Sequence, residues 1–296
     1  MSKKWIILIV AVLIIGVIYY KPEIVDAPIG NSIDSLTNKL FKFLDYRNDI
    51  PENTTPHNYT YIPKKTTEPI SIACWNLQAF GKTKASNDNL LYYYANKLDD
   101  YDIFVVQEIR DSSGEAIEKL ASKLPTYNYI ITKRAGSTSV KEQEALFYNS
   151  RVNLTQYTDW TDIKASEFER PPLEARFKAD NWTFTIYSLH IDPDNAEREM
   201  IYLERMASNN IGDTIVIGDL NADYPYYPEK KNFLDWNWVI NDSVDTTVSD
   251  IDATYDRIII DKEAENNLIS GGVMTDVISS QSDHYLIYAT FNSKVP

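Results

Sequence analysis

The chain has 296 residues, 43 of them Asp or Glu and 29 Lys or Arg, giving a formal net charge of −14. A hydrophobic fraction of 44% with 24% charged residues excludes disorder throughout and supports a sizeable core in one large domain or two average ones. The acidic excess argues against a protein that coats nucleic acid by bulk charge, because neutralising phosphate takes Lys and Arg; an enzyme that meets phosphate through bound metal stays open. The single cysteine, Cys74, excludes an internal disulfide and a cysteine-cluster zinc site, and three histidines (His57, His190, His284) are too few for a poly-histidine centre. Metal ligands here would be mostly oxygen, which favours magnesium, calcium or manganese.

In chain order, Met1-Ser2-Lys3-Lys4 precedes an uncharged run from Trp5 to Tyr20. As a helix that run spans about 24 Å, a little short of a typical membrane crossing and a little long for a signal-peptide core. Residues 1–28 are therefore read as an N-terminal transmembrane anchor or signal segment. The uncleaved anchor is favoured, because Val25-Asp26-Ala27 followed by Pro28 is a poor cleavage site. Lys3 and Lys4 would hold the start in the cytoplasm and place the bulk of the chain outside it. Residues 29–69 comprise an amphipathic segment (Ile29, Ile33, Leu36, Leu40, Phe43, Leu44) and a Pro/Thr/Asn-rich linker containing Pro51, Pro56, Pro63 and Pro69.

From residue 70 to 296, short apolar runs predict strands at Ile70–Leu77, Asp102–Gln107, Tyr127–Thr132, Ala145–Tyr148, Trp182–Leu189, Thr214–Ile217, Tyr255–Ile260 and Tyr285–Phe291. Helical spacing predicts helices at Asn89–Leu98, Glu115–Leu124 and Asn195–Ser208. The mixture implies an α/β domain with sheets covered by helices. Chelating residues gather where the apolar runs end: Asn76 and Gln78, Gln107 and Glu108, His190, then Asp219, Asn221 and Asp223, and finally Asp283-His284. Strand ends deliver side chains into a shared cleft, so these groups can converge on one site.

Taken in order, Trp75-Asn76-Leu77-Gln78, Gln107-Glu108, Ser188-Leu189-His190, Gly218-Asp219-Leu220-Asn221-Ala222-Asp223, Tyr255-Asp256-Arg257-Ile258 and Ser282-Asp283-His284 resemble the endonuclease/exonuclease/phosphatase superfamily, and within it the deoxyribonuclease I branch. The resemblance implies a four-layer αββα sandwich of two mixed sheets flanked by helices, covering residues 70–296. It also implies metal-dependent phosphodiester hydrolysis. Gln107-Glu108-Ile109-Arg110 resembles that branch's segment whose arginine reaches the DNA minor groove. Glu169-Arg170-Pro171-Pro172 resembles its segment with a phosphate-contacting arginine. Lys141-Glu142 resembles the site of a glutamate that orients the first catalytic histidine, and Tyr226 falls where a tyrosine lines the phosphate site. Two positions depart from the pattern: Val140 replaces a minor-groove tyrosine, and Tyr224 and Ala253 stand where the family has a disulfide.

Phosphodiester cleavage needs a base for water, neutralisation of the phosphate, a proton for the leaving oxygen, and positioning. Glu108 with Asn76, and Asp219 with Asn221 and Asp283, could hold Mg2+ or Mn2+. His190 and His284 suit acid/base work because their ordinary pKa lies near neutrality. The resemblance pairs Glu142 with His190 and Asp256 with His284, and it counts Asp219 and Asn221 among the catalytic groups. Which histidine is acid and which base is left open. Arg110 and Arg170 would hold the strand, and Tyr226 and Asn221 would donate to the phosphate. Asp245, Thr247 and Ser249 read either as a solvated loop or, by resemblance to a calcium loop of the family, as a structural Ca2+ site. The expected substrate is DNA, duplex and cut with low sequence specificity. A sphingomyelin or inositol-phosphate phosphodiesterase on the same fold is the alternative, and an inactive nucleic-acid-binding module a remote one. Beyond DNA and the membrane no obligate partner is called for, and a monomer is expected.

Overall fold

The computed structural model describes residues 69–294 apart from 138, 139 and 230. The expected anchor or signal helix, the amphipathic segment and the linker up to residue 68 lie outside the described residues. Among the described residues no helix is long and apolar enough to cross a membrane.

Strand β1 (Ile70–Phe80) shows how the sequence builds the layers. With side chains alternating at a period of two, Ile72 and Cys74 enter one apolar cluster while Ala73 and Trp75 enter another, so the strand is buried on both faces. Strand β2 (Ile103–Ile109) does the same with Ile103 and Val105 against Phe104 and Val106, and it lies parallel to β1 with Cys74 opposite Val105. The remaining strands are β3 (Tyr127–Ile131), β4 (Gln143–Asn149), β5 (Asn153–Asp159), β6 (Leu173–Ala179), β7 (Trp182–Ser188), β8 (Asp213–Asp219), β9 (Asn237–Trp238), β10 (Asp256–Ile260), β11 (Leu268–Met274) and β12 (Leu286–Phe291).

They form two six-stranded mixed sheets, ordered β11-β12-β1-β2-β4-β3 and β5-β6-β7-β8-β10-β9. Each sheet has one parallel pair, β1 with β2 and β7 with β8, flanked on both sides by antiparallel neighbours. The sequence shows no internal repeat, yet the topology repeats. The apolar cluster between the sheets takes Ile72, Val105, Leu146 and Ile287 from the first and Phe177, Phe184, Ile215 and Ile258 from the second. Burying each such side chain contributes about 1.5–3 kcal/mol.

Helices cover the outer faces. On the first sheet lie α1 (Lys82–Ala85), α2 (Asp88–Leu98) and α3 (Glu115–Ser122), with Leu91, Tyr94 and Leu98 of α2 and Ile117 and Leu120 of α3 facing inward at helical spacing. The Asn87 side chain caps α2 by accepting the Leu90 N–H. On the second sheet α4 (Ala196–Ser208) presents Ala196, Met200, Leu203 and Ala207 to Val216 and Ile259. A short α5 (Lys262–Glu265) follows β10.

Every strand and helix expected from the sequence is found within a few residues of its predicted bounds. Four strands were not foreseen. In β5 exposed polar residues dominate, and β6 alternates buried Leu173, Ala175 and Phe177 with charged residues that also suit a helix. Strand β11 carries two glycines, and β9 has two residues.

Candidate active site

Two irregularities in the first sheet create the site. The β1–β2 register slips between Asn76 and Phe80, and the β2–β4 register slips between Val106 and Ile109. Such bulges re-aim side chains. Gln78, Ala79 and Glu108 sit here in left-handed backbone, with φ of 48°, 54° and 59°, a conformation that non-glycine residues hold only when neighbours enforce it. The Ala79 N–H donates to Glu108 Oε2 at 2.7 Å. Asn76 Nδ2 donates both to Glu108 Oε1 (3.2 Å) and to Asp219 Oδ2 (3.1 Å). Because Asn76 Oδ1 accepts the Gln78 N–H at 2.9 Å, Asn76 aligns two carboxylates from different sheets, and its amide oxygen is turned away from them.

In the second sheet the critical position is Gly218, at φ 152°. A Cβ there would lie 2.0 Å from the Leu189 carbonyl oxygen and 2.9 Å from Gln107 Nε2, so only glycine lets β8 approach the end of β7 this closely. Immediately after it, Asp219 Oδ1 accepts the Asn221 N–H (3.2 Å), and Asn221 Nδ2 donates to the Ile191 carbonyl (2.9 Å).

The two histidines enter from opposite sheets. His190 follows β7 of the second sheet, and its Nδ1 lies 3.4 Å from Oε2 of Glu142, which precedes β4 of the first. His284 precedes β12 of the first sheet, and its Nδ1 lies 2.7 Å from Oδ2 of Asp256 at the start of β10 in the second. Each imidazole thus takes its carboxylate from the facing sheet. Their Nε2 atoms point to a common place, 3.4 and 3.5 Å from Asp219 Oδ2.

Electrostatics follow from this geometry. Burial pulls the His284 imidazole down, but the charges of Asp256 and Asp219 and the hydrogen bond to Asp256 outweigh it and hold the group well above its ordinary 6.5. His190 is raised too: burial and Arg170 oppose, while Asp219 and Glu142 prevail. Burial works against ionised Glu142, but His190 and Arg170 keep its carboxyl below the usual range.

The other expected residues occupy distinct places. Arg110 NH2 pairs with Glu108 Oε2 at 2.7 Å at the partly exposed lip of the site. Arg170 uses three of its five N–H donors on protein groups: Nη1 to Glu142 Oε1 (3.0 Å), Nε to the His190 carbonyl (2.8 Å) and Nη2 to the Ile191 carbonyl (3.0 Å). Tyr226 stands at the rim with its ring 5.6 Å from Tyr255. Asp283 Oδ2 accepts from Gln78 Nε2 at 2.8 Å. Asp245, Thr247 and Ser249 do come together, yet Asp245 Oδ1 is occupied by the Thr247 N–H, the Thr247 hydroxyl and the Ala253 N–H. That loop braces the histidine segment: Thr247 bridges His284, and the Val248 N–H donates to the Asp283 carbonyl. Near the positions where the resemblance expects a disulfide, Asp223 Oδ2 links the two loops by accepting the Thr254 N–H at 2.7 Å, while its Oδ1 accepts the adjacent Tyr224 N–H.

Two contributors were missed. Lys84 Nζ donates to the Leu77 and Gln281 carbonyls, clamping the end of β1 to the segment before His284, and burial pulls its pKa to about 8. Glu144 lies between the sheets, pushed by burial up to about 7. Strand parity could have found it, since Glu144 shares a face with inward-pointing Leu146.

The donor set fits a hard divalent cation. Glu108, Glu142 and His190, and separately Asp219, Asp256 and His284, each place ligand atoms within 4.8 Å of one another. Oδ1 of Asp283 and of Asp256 are buried without a hydrogen-bond partner. Oxygen-rich, anionic and partly unpartnered, this cleft has the chemistry to hold a hard divalent cation.

A profile of the Endonuclease/Exonuclease/phosphatase family matches residues 73–284. The chain belongs to this family. Among curated members, human deoxyribonuclease-1 is 32% identical over 232 residues, 70% of this chain and 81% of the relative. Deoxyribonuclease-1 of Bos taurus is 29% identical over 258 residues, 75% of this chain and 92% of that protein. Among solved structures, D. rerio TDP2 complexed with single strand DNA product superposes with a TM-score of 0.58 at 14% identity, over 75% of this chain and 98% of the other. The protein is thus a deoxyribonuclease I-like member of the Endonuclease/Exonuclease/phosphatase family, and the two mixed sheets with their flanking helices are that family's sandwich. At the coarse level its class is a nuclease or phosphodiesterase, a hydrolase of phosphate esters.

Proposed function

We propose that the protein is a divalent-metal-dependent endonuclease that hydrolyses the phosphodiester bonds of duplex DNA with low sequence specificity. The observation that carries this reading is the crossed pair of histidines. Each Nδ1 faces a carboxylate and each Nε2 faces Asp219 Oδ2. A carboxylate on Nδ1 fixes the tautomer and leaves Nε2 free to exchange a proton. A scissile phosphate held beside Asp219 has one imidazole on either side. The neutral one takes a proton from water at Nε2, and the protonated one gives a proton to the leaving 3′ oxygen.

Glu108, Asp219 and Asp283 would hold Mg2+ or Mn2+, with Asn76 aligning the first two and Asn221 shaping the Asp219 turn. The cation supplies charge neutralisation at the phosphate. Arg110 steers the strand from the lip, whereas Arg170 fixes Glu142 and the His190 segment. The Asp245–Ser249 loop holds His284 in place, with a structural Ca2+ as a further occupant. The anchor or signal reading of residues 1–28 makes the enzyme extracytoplasmic, membrane-held or secreted.

The test is plasmid nicking by the purified full-length chain with Mg2+, Mn2+ or Ca2+. Conversion of supercoiled to open-circular DNA is expected. Failure to nick in all three ions, together with release of phosphocholine from sphingomyelin, would replace the DNA reading with the lipid one.

A further inference from the structure

Beneath the histidines lies a carboxyl group that the mechanism above does not use. Glu144 is 7% exposed, on β4 of the first sheet. Its Oε1 accepts the Ser188 hydroxyl (3.0 Å) and the Leu173 N–H (3.2 Å), and its Oε2 accepts from Gln107 Nε2 (3.3 Å). Ser188 ends β7 two residues before His190, and Leu173 opens β6 three residues after Arg170. Gln107 extends the network. Its Nε2 also donates to the Leu189 carbonyl (2.7 Å), and its Oε1 accepts the Asp219 N–H (3.0 Å). One carboxyl therefore joins β2 and β4 to β6 and β7, and through Gln107 to β8. A cavity of about 20 Å³, wide enough for one water, lies among Glu142, Glu144, Arg170 and His190.

We propose that Glu144 is a positioning residue that sets His190 and Asp219 in register across the two sheets. This rests on the reading of His190 and Asp219 as reacting groups. The chemistry of the neighbours explains why a carboxyl is required. The backbone contacts of Gln107 fix its amide, because its oxygen must face the Asp219 N–H and its nitrogen the Leu189 carbonyl. A Gln107 N–H then points at Glu144 from one side and the Leu173 N–H from the other. Both oxygens of residue 144 must accept. Glutamine, equal in size, would set an NH2 against one of these donors and push either Gln107 or the start of β6 away. Displacement of a catalytic group by about 1 Å can cost about 100-fold in rate.

The test compares Glu144→Gln and Ser188→Ala with the parent as full-length chains. Readouts are kcat and KM for plasmid nicking in Mn2+, and side-chain nitrogen resonances of metal-free protein labelled on histidine. With three histidines in the chain, His57 serves as internal reference. Glu144→Gln is expected to lower kcat at least about tenfold with KM within about threefold, and to shift the His190 resonances while those of His57 stay fixed. Ser188→Ala, which removes one of the three donors, is expected to do the same to a smaller extent. If Glu144→Gln keeps kcat within about twofold and leaves His190 unmoved, the proposal fails. If that variant does not fold, Ser188→Ala decides by the same criteria. A parent that cuts no DNA would sink the functional reading, and the His190 resonances would still judge the positioning claim.

Discussion

Asp256 and His284 meet at 2.7 Å although they belong to different sheets, and Asp256 is fully buried at the contact. A histidine held this way keeps Nδ1–H on the carboxylate and presents Nε2 to the cleft. Asp256→Asn would leave the shape unchanged but let the amide favour the wrong tautomer. We expect kcat to fall about 10²–10⁴-fold with little change in KM. Steady-state nicking kinetics check this; a loss under tenfold would remove Asp256 from its role.

The proposed metal dependence rests on the carboxylates of Glu108 and Asp219, which Asn76 aligns, and on the unpartnered Asp283 Oδ1. Dialysis against EDTA should abolish nicking, and Mn2+ should restore it. Because the cation binds the folded state, Mn2+ at 100 times its Kd should also stabilise the fold by about 3 kcal/mol. Glu108→Gln should lose that thermal shift and reduce kcat more than about 100-fold. An equal shift in parent and variant would place the cation elsewhere.

Gly218→Ala forces a methyl group into the Leu189 carbonyl and the Gln107 amide. If the Leu189 carbonyl yields it releases Gln107 Nε2, and if the Gln107 amide yields it releases the Asp219 N–H. A destabilisation of about 3 kcal/mol or more is expected, read as the change in denaturation midpoint. A variant with parental stability would show that β7 and β8 can separate freely at this point.

Asp223→Ala removes the acceptor through which this loop holds the Thr254 N–H. Thr254 is buried, so its N–H would be left without a partner, at a cost of about 1–3 kcal/mol. Thermal melts check it: an unchanged Tm would mean that the remaining bonds, such as Leu220 N–H to the Tyr255 carbonyl, hold these loops without Asp223.

Glu199 on α4, behind the His190 segment, offers a pH test on a carboxyl outside the proposed reacting groups. Its oxygens accept the Glu169 and Asp192 N–H groups, yet burial outweighs these bonds and raises the carboxyl from 4.5 to about 7. The folded state therefore holds a proton that the unfolded chain releases. Its contribution to stability is complete below about pH 4.5 and is lost as pH rises through about 7, up to about 3 kcal/mol. Denaturation midpoints in EDTA should fall over that window, and Glu199→Met should flatten the slope. An unaltered slope would show that Glu199 is ionised in the folded protein at neutral pH.

Much of this site was legible because its residues sit at the ends of apolar runs, and a linear sequence records such ends. Asn76, Glu108, His190, Asp219 and His284 were all placed that way. What the line of residues does not record is the other sheet. That Glu142 reaches His190 from across the gap came only through a family resemblance. Strand β5 escaped notice because exposed polar residues dominate it, and β6 because charged residues on its outer face also suit a helix. That Arg170 also braces Glu142 and the carbonyls of His190 and Ile191 was not visible in the sequence. Glu144 was passed over because a glutamate within a strand ordinarily faces water, and only the facing layer reveals that this one does not.

The crossing of the two histidine pairs has a mechanical consequence. His190 and His284 meet at Asp219 while one sheet lies in register on the other, and no disulfide pins the two, since Cys74 is the sole cysteine and is buried. Interdigitated side chains and the cross-sheet hydrogen bonds of Asn76, Gln107, Glu144 and Asp256 oppose sliding. Mild heat or denaturant that lets the layers creep should extinguish hydrolysis while circular dichroism still reports intact strands and helices. Catalysis would then act as a strain gauge for the seam between the sheets.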